Sequence, residues 1–159
     1  MRYLILTLAF TTAMMAADDP YTPLRLYQGT WKAAASHPKP GVKPDELIDE
    51  CGQVGMYFLC QQTVNGTPAA LLVFVPADHP GHYYTTSVSP KGDAGGGSDL
   101  EIAGSRWVYS SKSENGGKTT YHRVVNQFTG SDRIHFEISE SSDGEHWTVT
   151  RSGDEARVK

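Results

Sequence analysis

The chain is short of cysteine and of excess charge. Its 159 residues include two Cys, and 14 Lys+Arg against 18 Asp+Glu give a formal charge of −4. Two cysteines with no CxxC are too few for a disulfide-scaffolded miniprotein or a thiolate metal site, and no metal site is expected. A negative balance without a basic block argues against nucleic acid as a partner held by phosphate neutralisation. Long apolar runs are missing too: the stretch Leu4–Phe10 is too short to cross roughly 30 Å of hydrocarbon, so no transmembrane segment remains once a leader is removed. There is no G-x-S-x-G. Gly95-Gly96-Gly97 fits neither phosphate-binding glycine pattern, because no helix is expected after it. What the chain does contain is 16 Gly, nine Pro and 38% hydrophobic residues, the make-up of one globular domain full of tight turns.

Its start has a compartment signal. Arg2, the apolar run to Phe10, the small-residue stretch Thr11–Ala17 and the polar start Asp18-Asp19-Pro20 together form the layout of a secretory signal peptide. The expected division is residues 1–17 as leader and 18–159 as the mature domain, secreted or periplasmic; a buried N-terminal strand is the alternative. Removing Arg2 with the leader makes the mature charge −4 − 1 = −5. In an oxidising compartment Cys51 and Cys60, nine positions apart, are expected to pair and to contribute about 2–3 kcal/mol by loop closure. Two free buried thiols are the other reading.

Along the chain the pattern is that of strands. A first strand is read from about Leu24 to Ser36. A proline-rich connection (His37–Pro44) follows, then one or two helical turns over Pro44–Glu50, where Pro and acids sit as a helix N-terminus favours them. Beyond Gly55 the chain reads as a β meander. Asn65-Gly66 is a type I′ hairpin signal, Gly104-Ser105 and Asn115-Gly116-Gly117 mark further turns, and Asp143-Gly144 is read as another type I′ turn. Residues 90–98 form a glycine-rich loop. Strands at this spacing suit a sandwich or a barrel. The mixed faces of 106–111, 118–128 and 133–139 favour a barrel whose inside holds some polar groups.

At Gly29-Thr30-Trp31 the sequence resembles the calycin superfamily, the lipocalins and their relatives, and more narrowly the bacterial secreted lipocalin-like domains. These carry a G-x-W on the first barrel strand. The resemblance implies a single antiparallel up-and-down β-barrel over residues 24–157, closed at one end by Trp31 under a cation from Arg151 or Arg157, with a ligand in the barrel. The chain departs from ordinary lipocalins in its proline-rich insertion with a short helix after the first strand, and in lacking a long C-terminal helix. The run Ser141–Trp147 also resembles the Asp-box of sialidase propellers, but it is a single copy and Gly144 follows Asp143 directly.

The chemical candidates are few. His79-Pro80-Gly81-His82 offers two imidazoles near Asp78, more simply read as surface-loop histidines. Haem ligation by one of the six histidines has nothing to single a residue out, and no cofactor is expected. Arg123, His135 and Glu137, with Trp107, Tyr109 and Tyr121, converge on one face if their strands are neighbours; such a group orients a polar ligand or moves a proton. If Ile134, Phe136 and Ile138 point inward instead, the polar set is surface ion pairing. The leading expectation is a barrel that binds a small, partly apolar molecule. The alternatives are an isomerase or lyase using Arg123, His135 and Glu137, and an interaction or inhibitor module acting through loop 90–98 on an envelope protein.

Overall fold

The computed structural model describes residues 19–35 and 43–158; the expected leader and most of the proline-rich connection lie outside the described residues. Ten strands run in sequence order: β1 Gly29–Ala35, β2 Asp45–Val54, β3 Tyr57–Val64, β4 Thr67–Pro76, β5 His82–Val88, β6 Ser98–Ala103, β7 Arg106–Asn115, β8 Lys118–Thr129, β9 Arg133–Ser141 and β10 Thr148–Arg157. Each pairs antiparallel with its neighbours in the chain, and β1 pairs with β10, so the sheet is a closed barrel. The all-β, up-and-down class read from the turns and alternation is the observed one.

Asn65 (φ 52°) and Gly66 (φ 76°) form the β3–β4 turn with both central residues left-handed, as a type I′ hairpin requires. The Asp143-Gly144 turn differs: Gly144 is left-handed and Asp143 is not. The Asp143 carboxylate organises this loop, accepting from the Ser141 hydroxyl and from the backbone N–H of Glu145 and His146, each at 2.8 Å. Side-chain capping therefore does what a I′ backbone was expected to do.

Two local expectations are corrected. Residues 45–50 form no helix; they are the first half of β2. The acids there fit a helix start, but Leu47, Asp49 and Cys51 alternate with a period of two, opposite Ala33, Trp31 and Gly29 of β1. Pairing that completes a cylinder outweighs a weak local preference. Likewise, residues 24–27 are not strand. Thr22–Tyr27 is a 3-10 helix ahead of β1, and Tyr21, Leu24 and Tyr27 are all buried. Their spacing of three is the 3-10 repeat, which places them on one face.

That face closes one end of the barrel. Tyr21, Leu24 and Tyr27 pack on Trp31, Phe58, Phe74, Tyr83, Leu100, Trp107, Phe128 and Ile134. The Tyr83 hydroxyl donates to the Pro20 carbonyl at 2.7 Å. Trp31 is 1% exposed, and its indole N–H donates to the Tyr27 carbonyl at 2.8 Å. Of the two candidate cations, Arg157 lies over the indole, 4.4 Å from its centroid. Gly29 (φ 113°) is required beside it, since a Cβ there would stand 2.5 Å from the guanidinium. Cys51 and Cys60, directly paired across β2 and β3 and buried at the same end, form the disulfide. No helix among the described residues is long and apolar enough to cross a membrane.

Trp31→Ala is expected to cost about 3–5 kcal/mol in chemical denaturation, as large aromatic truncations do; a loss under 1 kcal/mol would show that the indole does not seal the barrel. Reducing agent is expected to lower the melting temperature of the wild type and leave that of a Cys51→Ala/Cys60→Ala variant unchanged, read by differential scanning calorimetry.

Candidate functional site

The opposite end is open. Strand register places there the turn at 65–66, the loop between β5 and β6, the β7–β8 turn and the Asp143 loop. Below them is a cavity of about 380 Å³, within the ordinary range for small-molecule sites. Its walls are Leu47, Leu72, Phe74, Val124, Phe136 and Ile138. All six take the inward phase of their strands, so the alternation that builds the barrel also lines the cavity. Gly153 allows Phe136 to lie across β10: a Cβ there would meet the Phe136 ring at 2.7 Å. The 90–98 loop is exposed over residues 90–97 and is tied to β5. It folds back through a bridge between Val88 and Ala94 and a hydrogen bond from the Gly95 N–H to the Ser87 carbonyl, and Gly96 becomes part of the cavity wall.

The floor is polar, which gives the cavity its direction. Asp49 on β2 is 3% exposed and Glu155 on β10 is 9% exposed. The Tyr27 hydroxyl, projecting from the helical cap, donates to Asp49 Oδ2 at 3.2 Å, and Gln62 Nε2 donates to Oδ1 at 3.1 Å. Glu155 Oε2 is buried with no hydrogen-bond partner among the described residues. Tyr109 and Asn126 complete the floor, and Arg151 lines the cavity four residues up β10, about 13 Å toward the mouth at the usual strand rise.

Burial dominates the electrostatics here. It raises Glu155 to a pKa of about 7, helped by the nearby Asp49 charge and opposed by the Tyr27 hydroxyl. Burial also raises Asp49, partly offset by the bonds from Gln62 and Tyr27. Burial and the two carboxylates push Tyr109 and Tyr27 far above the ordinary phenol range, so both hydroxyls stay protonated and able to donate. The floor is thus two buried carboxyl groups that hold their protons more tightly than usual, set among neutral donors. It can accept hydrogen bonds from a ligand, or give or take one proton.

The residues expected to converge do so only in part. Tyr109 lines the cavity. Trp107 is fully buried beneath it, 4.7 Å from the Phe128 ring, as part of the plug. His135 and Glu137 lie on the outer face because Ile134, Phe136 and Ile138 take the inner one. His135 pairs with Asp154 there at 2.9 Å. Arg123 is also outside, 4.0 Å from the Trp147 ring, and Tyr121 faces Gly144. Arg123, His135 and Glu137 therefore do not converge in the cavity, and the proton-transfer group expected of them does not form: His135 pairs with Asp154 and Arg123 stacks on Trp147. Arg151, considered for the plug, belongs to the cavity. Near the rim, on the inward phase, Ser113 Oγ and His122 Nε2 are 2.9 Å apart, and Glu140 lies 3.6 Å from His122 Nδ1. His79 and His82 stack edge to face in a closed-end turn, and no cluster of three metal-ligating side chains occurs among the described residues.

Sequence reasoning missed Asp49, Glu155, Gln62, Asn126 and Tyr27. The available signal was phase: Asp49 alternates with Leu47 and Cys51, and Glu155 with Gly153 and Arg157. Reading 45–50 as helix hid the first.

No family model matches the chain, and no curated protein matches it. Among solved structures, the chain is similar to the crystal structure of Rv2717c from M. tuberculosis, with 13% identity and a TM-score of 0.52 over 88% of this chain and 98% of that one. At that identity the likeness shows the fold alone.

A carboxyl group whose pKa rises on folding binds its proton more tightly in the native state. The stability it offers is full below the unfolded pKa of about 4.5 and lost as pH rises through about 7. Wild-type stability is therefore expected to fall across that window by about 2–3 kcal/mol. Glu155→Gln should flatten the fall, leaving the variant the more stable of the two at pH 8. Urea titrations at pH 5 and pH 8 measure both; parallel pH profiles would show that Glu155 is not desolvated.

Proposed function

We propose that this is a lipocalin-like binding protein that takes a small, partly apolar molecule into the barrel through its open end. The observation that carries the reading is the asymmetry of the interior. One end is sealed by an aromatic plug, and the other leads into a cavity whose walls are mostly apolar, with hydroxyls of Thr85, Thr86, Ser87 and Ser98 along one side and the carboxyl groups at its floor. A barrel interior filled by side chains would have favoured an interaction module instead. The calycin kinship is part of this proposal. Its support is the G-x-W strand with Arg157 over Trp31; ten strands in place of the lipocalins' eight limit it to the barrel plan and the plug. The Cys51–Cys60 bridge favours an oxidising compartment and so supports secretion or a periplasmic location.

A neutral apolar fluorophore such as N-phenyl-1-naphthylamine is expected to bind one-to-one with enhanced emission. Val124→Trp, which places an indole in the cavity, should weaken that binding at least tenfold with little loss of stability. Undiminished binding by the variant, or none by the wild type, would overturn the reading.

A further inference from the structure

The cavity's floor is more specific than its walls. Buried carboxylates normally meet cations or a full set of donors. Among the described residues no Lys or Arg forms an ion pair with Asp49 or Glu155. Asp49 has two donors, from Tyr27 and Gln62. Glu155 is nine-tenths buried, and its Oε2 has none. Tyr27 has a single proton for both carboxyl groups, and its 3.2 Å bond goes to Asp49. Donors are thus missing on the β10 side of the floor, at a residue that lines the cavity.

We propose that the ligand is an organic ammonium ion, a primary or secondary amine on a compact apolar body, whose N–H groups sit between Asp49 and Glu155 while its hydrocarbon part fills the cavity above. The inference rests on the ligand-binding reading of the barrel and adds the chemical class. An ammonium nitrogen brings two or three donors and one positive charge, which answers both the unpartnered Oε2 and the unpaired negative charge. A hydroxyl brings one donor and no charge, and a carboxylate would be repelled. Every other group facing the pair is neutral (Tyr27, Tyr109, Gln62, Asn126) except Arg157, whose guanidinium lies over Trp31 and is taken up by the carbonyls of Ser131, Gln28 and Leu26, and Arg151. Arg151 is exposed and lies toward the mouth, where solvent screens it from the floor. The apolar walls keep water from competing for the same contacts, so the ion pair formed at the floor is stronger than the same pair in water.

The test is isothermal titration calorimetry of the full mature chain with 2-phenylethylamine, 2-phenylethanol and phenylacetate, in wild type and Glu155→Gln. At pH 8 the amine is expected to bind at least tenfold more tightly than the alcohol, and phenylacetate less tightly than either. Glu155→Gln should bring amine and alcohol within threefold of each other, chiefly by weakening the amine. In the wild type, amine affinity should rise at least fivefold from pH 6 to pH 8 while alcohol affinity stays flat, a readout that needs no variant. Equal amine and alcohol affinity would overturn the ammonium inference and leave the binding reading standing. Failure of all three to bind, together with failure of the neutral fluorophore, would overturn both. Amine selectivity retained in Glu155→Gln, or calcium chloride displacing the amine at micromolar concentration, would also overturn the assignment, the latter by giving the floor to a metal ion.

Discussion

The barrel depends on one guanidinium. Arg157 lies over the Trp31 ring, and its three nitrogens donate to the carbonyls of Ser131, Gln28 and Leu26. One side chain thereby joins the end of β10, the start of β1, the helical cap and the β8–β9 turn. The partners are up to 131 positions apart in sequence, so this closure has a large loop entropy to offset. Buried indole area, cation–π attraction and charge-assisted hydrogen bonds all act at that point. Lysine would not replace it, since a single ammonium cannot cover the ring and also reach three carbonyls in fixed directions.

Sealing one end makes a site possible at the other. A cylinder open at both ends would hold a column of water. One packed with large side chains at every level would have no room for a ligand. Here the aromatic residues gather at the closed end, where Tyr27, Trp31, Trp107 and Phe128 form a chain of edge and tilted ring contacts. Above them the inward positions shrink: Ala33 stands opposite Glu155, and Gly153 yields space to Phe136. The cavity is the difference in volume between these two levels.

Much of this was legible from the chain. Turn residues and alternating strands identify an antiparallel meander, and the mixed strand faces favour a barrel over a sandwich, which is the fold observed. G-x-W locates the plug, though only coordinates choose Arg157 over Arg151. The site was less legible, for a physical reason. In a barrel strand each side chain faces in or out by parity, and alternation fixes parity only where apolar residues dominate one phase. Ile134, Phe136 and Ile138 do so on β9, which correctly sends His135 and Glu137 outside. On β2 and β10 both phases carry charge, so the phase that Asp49 shares with Leu47 and Cys51, and Glu155 with Gly153 and Arg157, is only a weak mark of the interior. The error over 45–50 has the same origin: an acidic, proline-led segment looks like a helix start unless its place opposite β1 is known.

An interior carboxylate pair works against folding. Leucine or glutamine at both positions would cost less, because two desolvated acids repel each other and each prefers water. Yet the surroundings look built to tolerate them: Tyr27 comes from the cap and Gln62 from β3 to donate to Asp49, while Tyr109 stays protonated beside both acids. Support of this kind surrounds one carboxylate fully and leaves the other open on the side facing the cavity. A purely structural polar cluster would be expected to satisfy its own members. One left a donor short, at the inner end of a largely apolar chamber with a single open end, is the feature on which the ligand-binding proposal rests. Under that proposal, the stability given up at Glu155 is recovered on binding by a molecule that brings the missing donors.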